Sequence, residues 1–363
     1  MTSLLAGTAR RPLRSIAQMV TQPLVPRDFI DLIDPLSSSR DLRGRIDTVI
    51  AETTDAATIR VRVGRGWRGH RAGQYVRVGV DVDGVRQWRT YSITSQGTSQ
   101  TNAKANRFIT ITVKTVPDGV VSNYLVRQAK AGTLVHLDQA CGDFTMPATR
   151  PDKVLFVTAG SGVTPVMGML RSHLPELADV VVVHSAPTAD DVVFGSELRA
   201  FADTGSVRLL EHHTATSPRI TAADLDALVP DWTERQTWAC GPAALLDDIE
   251  AHWARHDAAD RLHTERFTAP AVGGGEGGPI SFTRTGSTAE TSPGTTLLEA
   301  GENAGVLMPS GCRMGVCFGC VLPLRSGAVR DVRNGAVTIG APDAGVLVQT
   351  CISTVAGSCE IDI

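Results

Sequence analysis

The chain has 363 residues, 42% of them apolar and 20% charged, with a formal net charge of −3. That length and balance predict a folded protein of about two or three domains, and the lack of a basic excess excludes a general electrostatic attraction for nucleic acid. No apolar run reaches the roughly 18 residues that a membrane-spanning helix needs.

Residues 1–41 read as an N-terminal extension. Arg10, Arg11 and Arg14 precede no uninterrupted apolar stretch with a small-residue cleavage site, so no secretory leader is expected. Leu13, Ile16, Ala17 and Val20 fall on one helical face among arginines. Such a segment suits a membrane surface or a partner, or a short helix packed on its own protein.

Residues 42–149 alternate with period two. Ala57, Ile59, Val61 and Val63 interleave with Thr58, Arg60 and Arg62, and Val76, Val78, Val80 and Val82 repeat the pattern before the turn signal Asp83-Gly84. Ile109, Ile111 and Val113 mark another strand. Short antiparallel strands of this kind predict a β-barrel. Ser122 is expected to cap a short helix through Tyr124, Leu125 and Val126.

Residues 150–268 change register. Buried-type strands at Val154–Val157, Val180–Val183, Val207–Leu210 and Thr237–Cys240 alternate with helical stretches from Val166 to about His173, after a cap at Thr221, and from Ala243 to about Arg255. That order predicts a parallel sheet with helices on both faces. Residues 269–278 hold five glycines and read as a linker, spanning about 17 Å as flexible coil.

Residues 279–363 form the last domain. Thr296-Leu297-Leu298-Glu299-Ala300 reads as a helix start, and Cys359 to Ile363 as a closing strand. Cys312, Cys317 and Cys320 stand in the spacing C-x4-C-x2-C, and Cys351 follows after a long gap. This is the plant-type ligand pattern of a 2Fe-2S cluster, whose two irons take four soft thiolates. Gly311, Gly315 and Gly319 let the loop close around sulfur and aim N–H groups at it. A zinc site is the competing reading, but zinc usually takes paired short knuckles, and a disulfide framework would need a secreted context. Cys141, Cys240 and Cys359 lie outside the pattern, and at least two of them read as ordinary buried cysteines. A reducing cytoplasm suits both the thiols and the cluster.

Four further stretches carry chemistry. Arg89-Thr90-Tyr91-Ser92 offers an arginine for phosphate, an aromatic ring for stacking on a flavin and a hydroxyl for its N5. From Lys114 to Asn123 a glycine turn at Gly119 meets a helix start at Ser122, where N–H groups attract phosphate oxygens. Gly160-Ser161-Gly162-Val163-Thr164-Pro165 joins a strand to a helix with small residues, without the third glycine of the dinucleotide fingerprint. Cys240-Gly241-Pro242 ends a later strand, where open parallel sheets bind ligands.

The order R-x-Y-S, G-x-x-S, G-x-G-x-T-P, C-G-P and a plant-type cysteine set resembles the ferredoxin–NADP reductase superfamily, in the subgroup with a C-terminal ferredoxin domain, over residues 42–363. The resemblance implies an FAD-binding antiparallel β-barrel, an NAD(P)-binding α/β domain and an α+β (β-grasp) ferredoxin domain. It implies that Arg89 binds the flavin diphosphate, Tyr91 stacks on the ring and Ser92 stands near N5. Gly119 and Ser122 would contact FAD phosphates, with Lys114 beside them. Gly160, Gly162, Thr164 and Pro165 would form the coenzyme loop, and Cys240, with Gly241 and Pro242, would lie near the nicotinamide. A structural role for Cys240 is equally open. Glu265 and Phe267 match the segment closing over the flavin.

The same resemblance implies electrons passing in pairs from NAD(P)H to FAD, then singly to the cluster and an acceptor protein. Ser185, and Arg199 if it reaches, are the candidates for a coenzyme 2′-phosphate, and NADPH is favoured over NADH although Asp190 and Asp191 are close. The flank Pro26–Leu36 and Asp41–Arg45 resembles actinobacterial reductases serving membrane fatty-acyl-CoA desaturases. The expected protein is thus a monomeric reductase with no membrane span, in the cytoplasm or at the inner face of the membrane. Reductases of alkane hydroxylases or Rieske oxygenases are an alternative, and so is a cluster-based redox sensor. Plant-type clusters sit near about −400 mV; a higher value is expected here, so that transfer from the flavin runs downhill.

Overall fold

The computed structural model describes residues 34–38, 41–82, 84–97, 107–117, 119–267, 275–311, 313, 315, 318–342 and 345–363. The amphipathic segment at 13–20, Asp83, Cys312 and Cys317 lie outside these residues. Among the described residues no helix is long and apolar enough to cross a membrane.

Period-two alternation becomes an antiparallel sheet of six strands: β1 (Arg43–Ala51), β2 (Ala56–Val63), β3 (Tyr75–Val82), β4 (Val85–Ser92), β5 (Phe108–Lys114) and β6 (Leu134–Leu137). They run in the order β4-β3-β6-β1-β2-β5. Just past β4, Ile93 bridges Ile111 of β5, and the Thr94 N–H donates to the Thr110 carbonyl at 2.8 Å, closing the sheet into a barrel. Ile59, Val61, Val76, Val78, Ile109 and Ile111 fill its interior, each stabilising the fold by about 1.5–3 kcal/mol. Helix α1 (Val120–Arg127) adds Val121 and Leu125 to that core. Its N-cap is Gly119 rather than Ser122. Ser122 sits inside the first turn, where its hydroxyl accepts from the Val116 N–H and donates to the Gly119 carbonyl.

The second sheet is parallel: β7 (Lys153–Ala159), β8 (Asp179–Ala186), β9 (Arg208–His213), β10 (Gln236–Cys240) and β11 (Leu262–Glu265), in the order β11-β10-β7-β8-β9. Helices α2 (Val163–His173), α3 (Gly195–Asp203), α4 (Asp224–Leu228) and α5 (Ala243–Arg255) cover it. Val154, Phe156, Val182 and Trp238 pack on one face with Val166, Met167 and Leu170 of α2. Leu155, Val157, Val181 and Val183 pack on the other with Leu246, Ile249 and Trp253 of α5. Burial on both faces is why these strands read as unbroken apolar runs. Thr221 does not cap α4 with its own oxygen: its N–H and hydroxyl both donate to the Asp224 carboxylate at 2.8 Å.

The third sheet is mixed: β12 (Gly278–Phe282), β13 (Ser287–Thr291), β14 (Val321–Asp331), β15 (Val337–Ile339), β16 (Val346–Gln349) and β17 (Ser353–Ile361). The order is β13-β12-β17-β14-β15, with β16 on β14 and β12 parallel to β17. Helix α6 (Leu297–Asn303) starts from a full capping box between Thr296 and Glu299 and lays Leu297 and Leu298 on the core. This is an α+β, β-grasp arrangement. The end of the glycine-rich stretch is already part of it: the Gly275 N–H donates to Thr354 Oγ1, and Gly277 bridges Ala356.

Candidate functional site

The end of β4 supplies the first part of the site. Arg89, Tyr91 and Ser92 lie within one strand, and Ser92 is 5% exposed. Among the described residues, Ser92 Oγ and Thr90 Oγ1 are buried without a hydrogen-bond partner. An orphaned buried hydroxyl costs about 1–3 kcal/mol, which a bound group would recover. Arg89 is half-buried, and burial, then the nearby Arg313 guanidinium, depress its pKa. Burial likewise holds the Tyr91 hydroxyl well above its usual range. Among the described residues no side chain caps helix α1 at Gly119, which leaves its first N–H groups to suit an anion. Two predicted residues are engaged by the protein itself. Lys114 pairs with Asp55 at 2.6 Å, and Ser122 holds its own turn. The rest suits a flavin with a phosphate tail.

The carboxyl ends of the parallel strands supply the second part. Gly160 has φ +54, and a Cβ there would meet none of the described residues within 4 Å. Gly162 is the opposite case. Its Cβ would lie 2.0 Å from the Cys240 carbonyl oxygen, so the Gly160–Gly162 turn rests directly on Cys240-Gly241. Thr164 Oγ1 donates to the Ser161 carbonyl at 2.9 Å, and Pro165 is buried in the first turn of α2, where its missing N–H costs nothing. Pro242 is the N-cap of α5. Ser185 is buried near the end of β8.

Strand pairing also lines up five side chains that the sequence does not show together. Glu265 is opposite Cys240, Cys240 opposite Thr158, Thr158 opposite His184, and His184 opposite Glu211. Paired residues of neighbouring strands share a face, so a polar row crosses all five strands. Burial raises the Glu265 carboxyl from 4.5 to about 8, and its Oε2 has no partner among the described residues. The Cys240 thiol is pushed up by burial and then by Glu265. Both groups therefore hold their protons at neutral pH. His184 shares a 2.8 Å hydrogen bond with Thr158 Oγ1, and burial pulls its pKa down to about 4. Arg199 is committed to Glu211, with Nε and Nη2 on the two carboxylate oxygens at 2.8 and 3.0 Å. Phe267 packs against the core that contains Cys240. Thr158 and His184 carry no motif, and only the strand order reveals them.

The third part concerns the cysteines. Cys320 and Cys351 are both buried in the core of the mixed sheet. Their segments are tied together: Thr350 donates from its N–H and its hydroxyl to the Cys320 carbonyl, at 3.1 and 2.9 Å. Gly315 packs onto the same place. Gly315 has φ +76, a Cβ there would lie 2.9 Å from Ile352, and its carbonyl accepts from Gln349 Nε2 at 2.9 Å. Two buried cysteines on segments tied to each other suit thiolate ligands of an iron–sulfur cluster. Of the remaining cysteines, Cys359 and Cys240 are buried and Cys141 is exposed. Burial, then Glu360, push the Cys359 thiol up to about 12.

A flavin-type barrel, a parallel nucleotide-type sheet and a cysteine-bearing β-grasp domain define a flavin-dependent electron-transfer oxidoreductase. Residues 42–146 match the oxidoreductase FAD-binding domain, and residues 282–356 match the 2Fe-2S iron-sulfur cluster binding domain. The chain is 45% identical to an NADPH oxidoreductase of Mycobacterium tuberculosis, over 99% of this chain and 95% of that protein. It is 34% identical to the NADH oxidoreductase HCR of Escherichia coli, over 78% and 86% of the two chains. Phthalate dioxygenase reductase superposes with a TM-score of 0.61 over 89% of this chain and 98% of its own, at 21% identity. The chain belongs to the ferredoxin–NADP reductase superfamily, among the members with a C-terminal 2Fe-2S domain.

Proposed function

We propose that this oxidoreductase draws electron pairs from NADPH and delivers them singly to a separate acceptor protein. The observation that carries the reading is the meeting of the Gly160–Gly162 turn with Cys240-Gly241 in a chain that also presents the orphaned Ser92 hydroxyl and the paired Cys320 and Cys351 segments. When bound, FAD takes a hydride and returns single electrons, which a 2Fe-2S cluster accepts one at a time.

In this reading the chain's own residues position and insulate. Ser92 Oγ donates to the flavin edge, Tyr91 covers the ring, and Arg89 with the start of α1 holds the diphosphate. The Gly160 turn takes the coenzyme diphosphate by its open backbone. Cys240, uncharged and buried beneath the Gly160–Gly162 turn, would stand near the nicotinamide. Glu265 keeps a proton and adds no negative charge beside the reacting atoms. Cys312, Cys317, Cys320 and Cys351 would hold the irons.

The M. tuberculosis relative's name supports NADPH. Arg199, already balanced by Glu211, is a weak candidate for the 2′-phosphate, which leaves Ser185. For the acceptor, the flank Pro26–Leu36 and Asp41–Arg45 supports a membrane fatty-acyl-CoA desaturase, served by a monomeric reductase at the inner face of the membrane. Relatives named glycine betaine monooxygenase reductase subunit and 3-ketosteroid-9-alpha-monooxygenase, ferredoxin reductase component, favour a second reading, an oxygenase reductase. Reconstitution with membranes containing a desaturase, against a purified Rieske oxygenase, separates them. Desaturation dependent on this protein and NADPH supports the first, and turnover only with the oxygenase supports the second.

A further inference from the structure

Helix α2 touches both halves of the reading above. Its N-terminus follows the Gly160–Gly162 turn, and its later turns lie along residues 93–97, which continue directly from Ser92. Gly168 allows the closest approach, since a Cβ there would lie 2.6 Å from the Ile93 carbonyl oxygen. The Gln96 side-chain amide donates to the Arg171 carbonyl at 2.7 Å, and the Gly97 N–H to Ser172 Oγ at 2.9 Å.

Arg171 stands at the centre of this seam. Its Nη1 donates to the Thr94 carbonyl at 2.7 Å. Its Nε and Nη2 grip both carboxylate oxygens of Glu197 in α3, at 2.9 and 2.5 Å. The guanidinium face lies 4.8 Å from the ring centroid of Phe194, which holds a left-handed backbone (φ +61) at the start of α3. One planar cation thus fixes the barrel strand after Ser92, the coenzyme-loop helix and the neighbouring helix. Only a guanidinium has donors in that fork together with a face to stack. The side chain is 21% exposed, so the contacts are partly shielded from solvent.

We infer that Arg171 is a positioning residue for hydride transfer: it sets the spacing between the flavin edge at Ser92 and the coenzyme turn at Gly160–Gly162 without touching either ligand. The inference rests on the proposed roles of those two segments. A displacement of about 1 Å between reacting groups costs on the order of a hundredfold in rate, so a bolt at this seam acts on the rate constant more than on binding.

The test uses the full chain loaded with FAD and cluster, in Arg171→Met, Arg171→Lys and Glu197→Gln forms. Stopped-flow reduction by NADPH is expected to slow on the order of tenfold or more in Arg171→Met, with little change in coenzyme KM and unchanged flavin and iron content. Arg171→Lys should recover part of the rate, because an ammonium still reaches the Thr94 carbonyl. Hydrogen–deuterium exchange should rise in 93–97 and 163–173 together. If Arg171→Met fails to fold, Glu197→Gln decides, with the same slowing expected from a loosened guanidinium. Wild-type reduction rates in the folded variants, or loss confined to KM, would overturn the inference. A wild-type protein that NADPH does not reduce would instead overturn the underlying reading.

Discussion

Gly162 has no room for a side chain because Cys240 lies over it: a Cβ would fall 2.0 Å from the Cys240 carbonyl oxygen. That contact seats the coenzyme turn on the strand end carrying Cys240, although 78 positions separate the two in sequence.

Replacing Gly162 with alanine should therefore pry the turn from its seat. The overpacking is expected to cost about 1–3 kcal/mol, read as a lower urea midpoint. Coenzyme affinity should fall while the flavin spectrum stays unchanged. Gly160→Ala meets none of the described residues and suffers only from its positive φ, a cost of about 1–2 kcal/mol. Equal affinity for coenzyme in Gly162→Ala and wild type would count against this contact.

Glu265 makes stability depend on pH in a definite direction. Its carboxyl titrates near 8 when folded and near 4.5 when exposed. The folded state therefore binds the proton more tightly, and the contribution is complete below pH 4.5. It is lost as pH rises through 8. Denaturation of wild type and Glu265→Gln at pH 5 and pH 8 checks this. The wild type should weaken relative to the variant at the higher pH, and parallel profiles would refute the assignment.

His184 works from the other side. Its buried ring titrates near 4 against 6.5 when exposed, so its contribution is present above pH 6.5 and is lost as pH falls through 4. His184→Gln should flatten acid denaturation between those values.

Ser92→Ala removes a hydroxyl that has no partner among the described residues. Stability of the flavin-free protein should hold or rise, by up to about 1–3 kcal/mol, because an unpaired buried hydroxyl is relieved and no hydrogen bond is lost. Flavin reduction by NADPH should slow at least about tenfold, the equivalent of one lost hydrogen bond. A large loss of flavin-free stability would mean that the hydroxyl serves the fold instead.

Much of the architecture was legible because burial dictates periodicity. Ile59 and Val61 alternate with outward arginines in a sheet wetted on one side, whereas Val180–Val183 run unbroken where both faces are covered. Thr296 and Glu299 announced their helix because a capping box is local chemistry. Ser122 and Lys114 show where local reasoning stops. Each has the right side chain for a phosphate, yet Ser122 turns back on Val116 and Gly119, and Lys114 on Asp55, a partner 59 positions away. The row from Glu265 to Glu211 and the seam at Arg171 depend on strand order and domain contact, which no short pattern encodes.

The most direct measurement is anaerobic loading with iron and sulfide, followed by NADPH titration with absorbance and EPR read in parallel. About two irons and one flavin per chain, bleaching of the flavin and a low-temperature EPR signal from the reduced cluster are predicted. In Cys351→Ser the iron and the EPR signal should be lost while the flavin still bleaches. A wild-type chain that holds no iron, or holds it without an EPR signal under NADPH, would contradict the account.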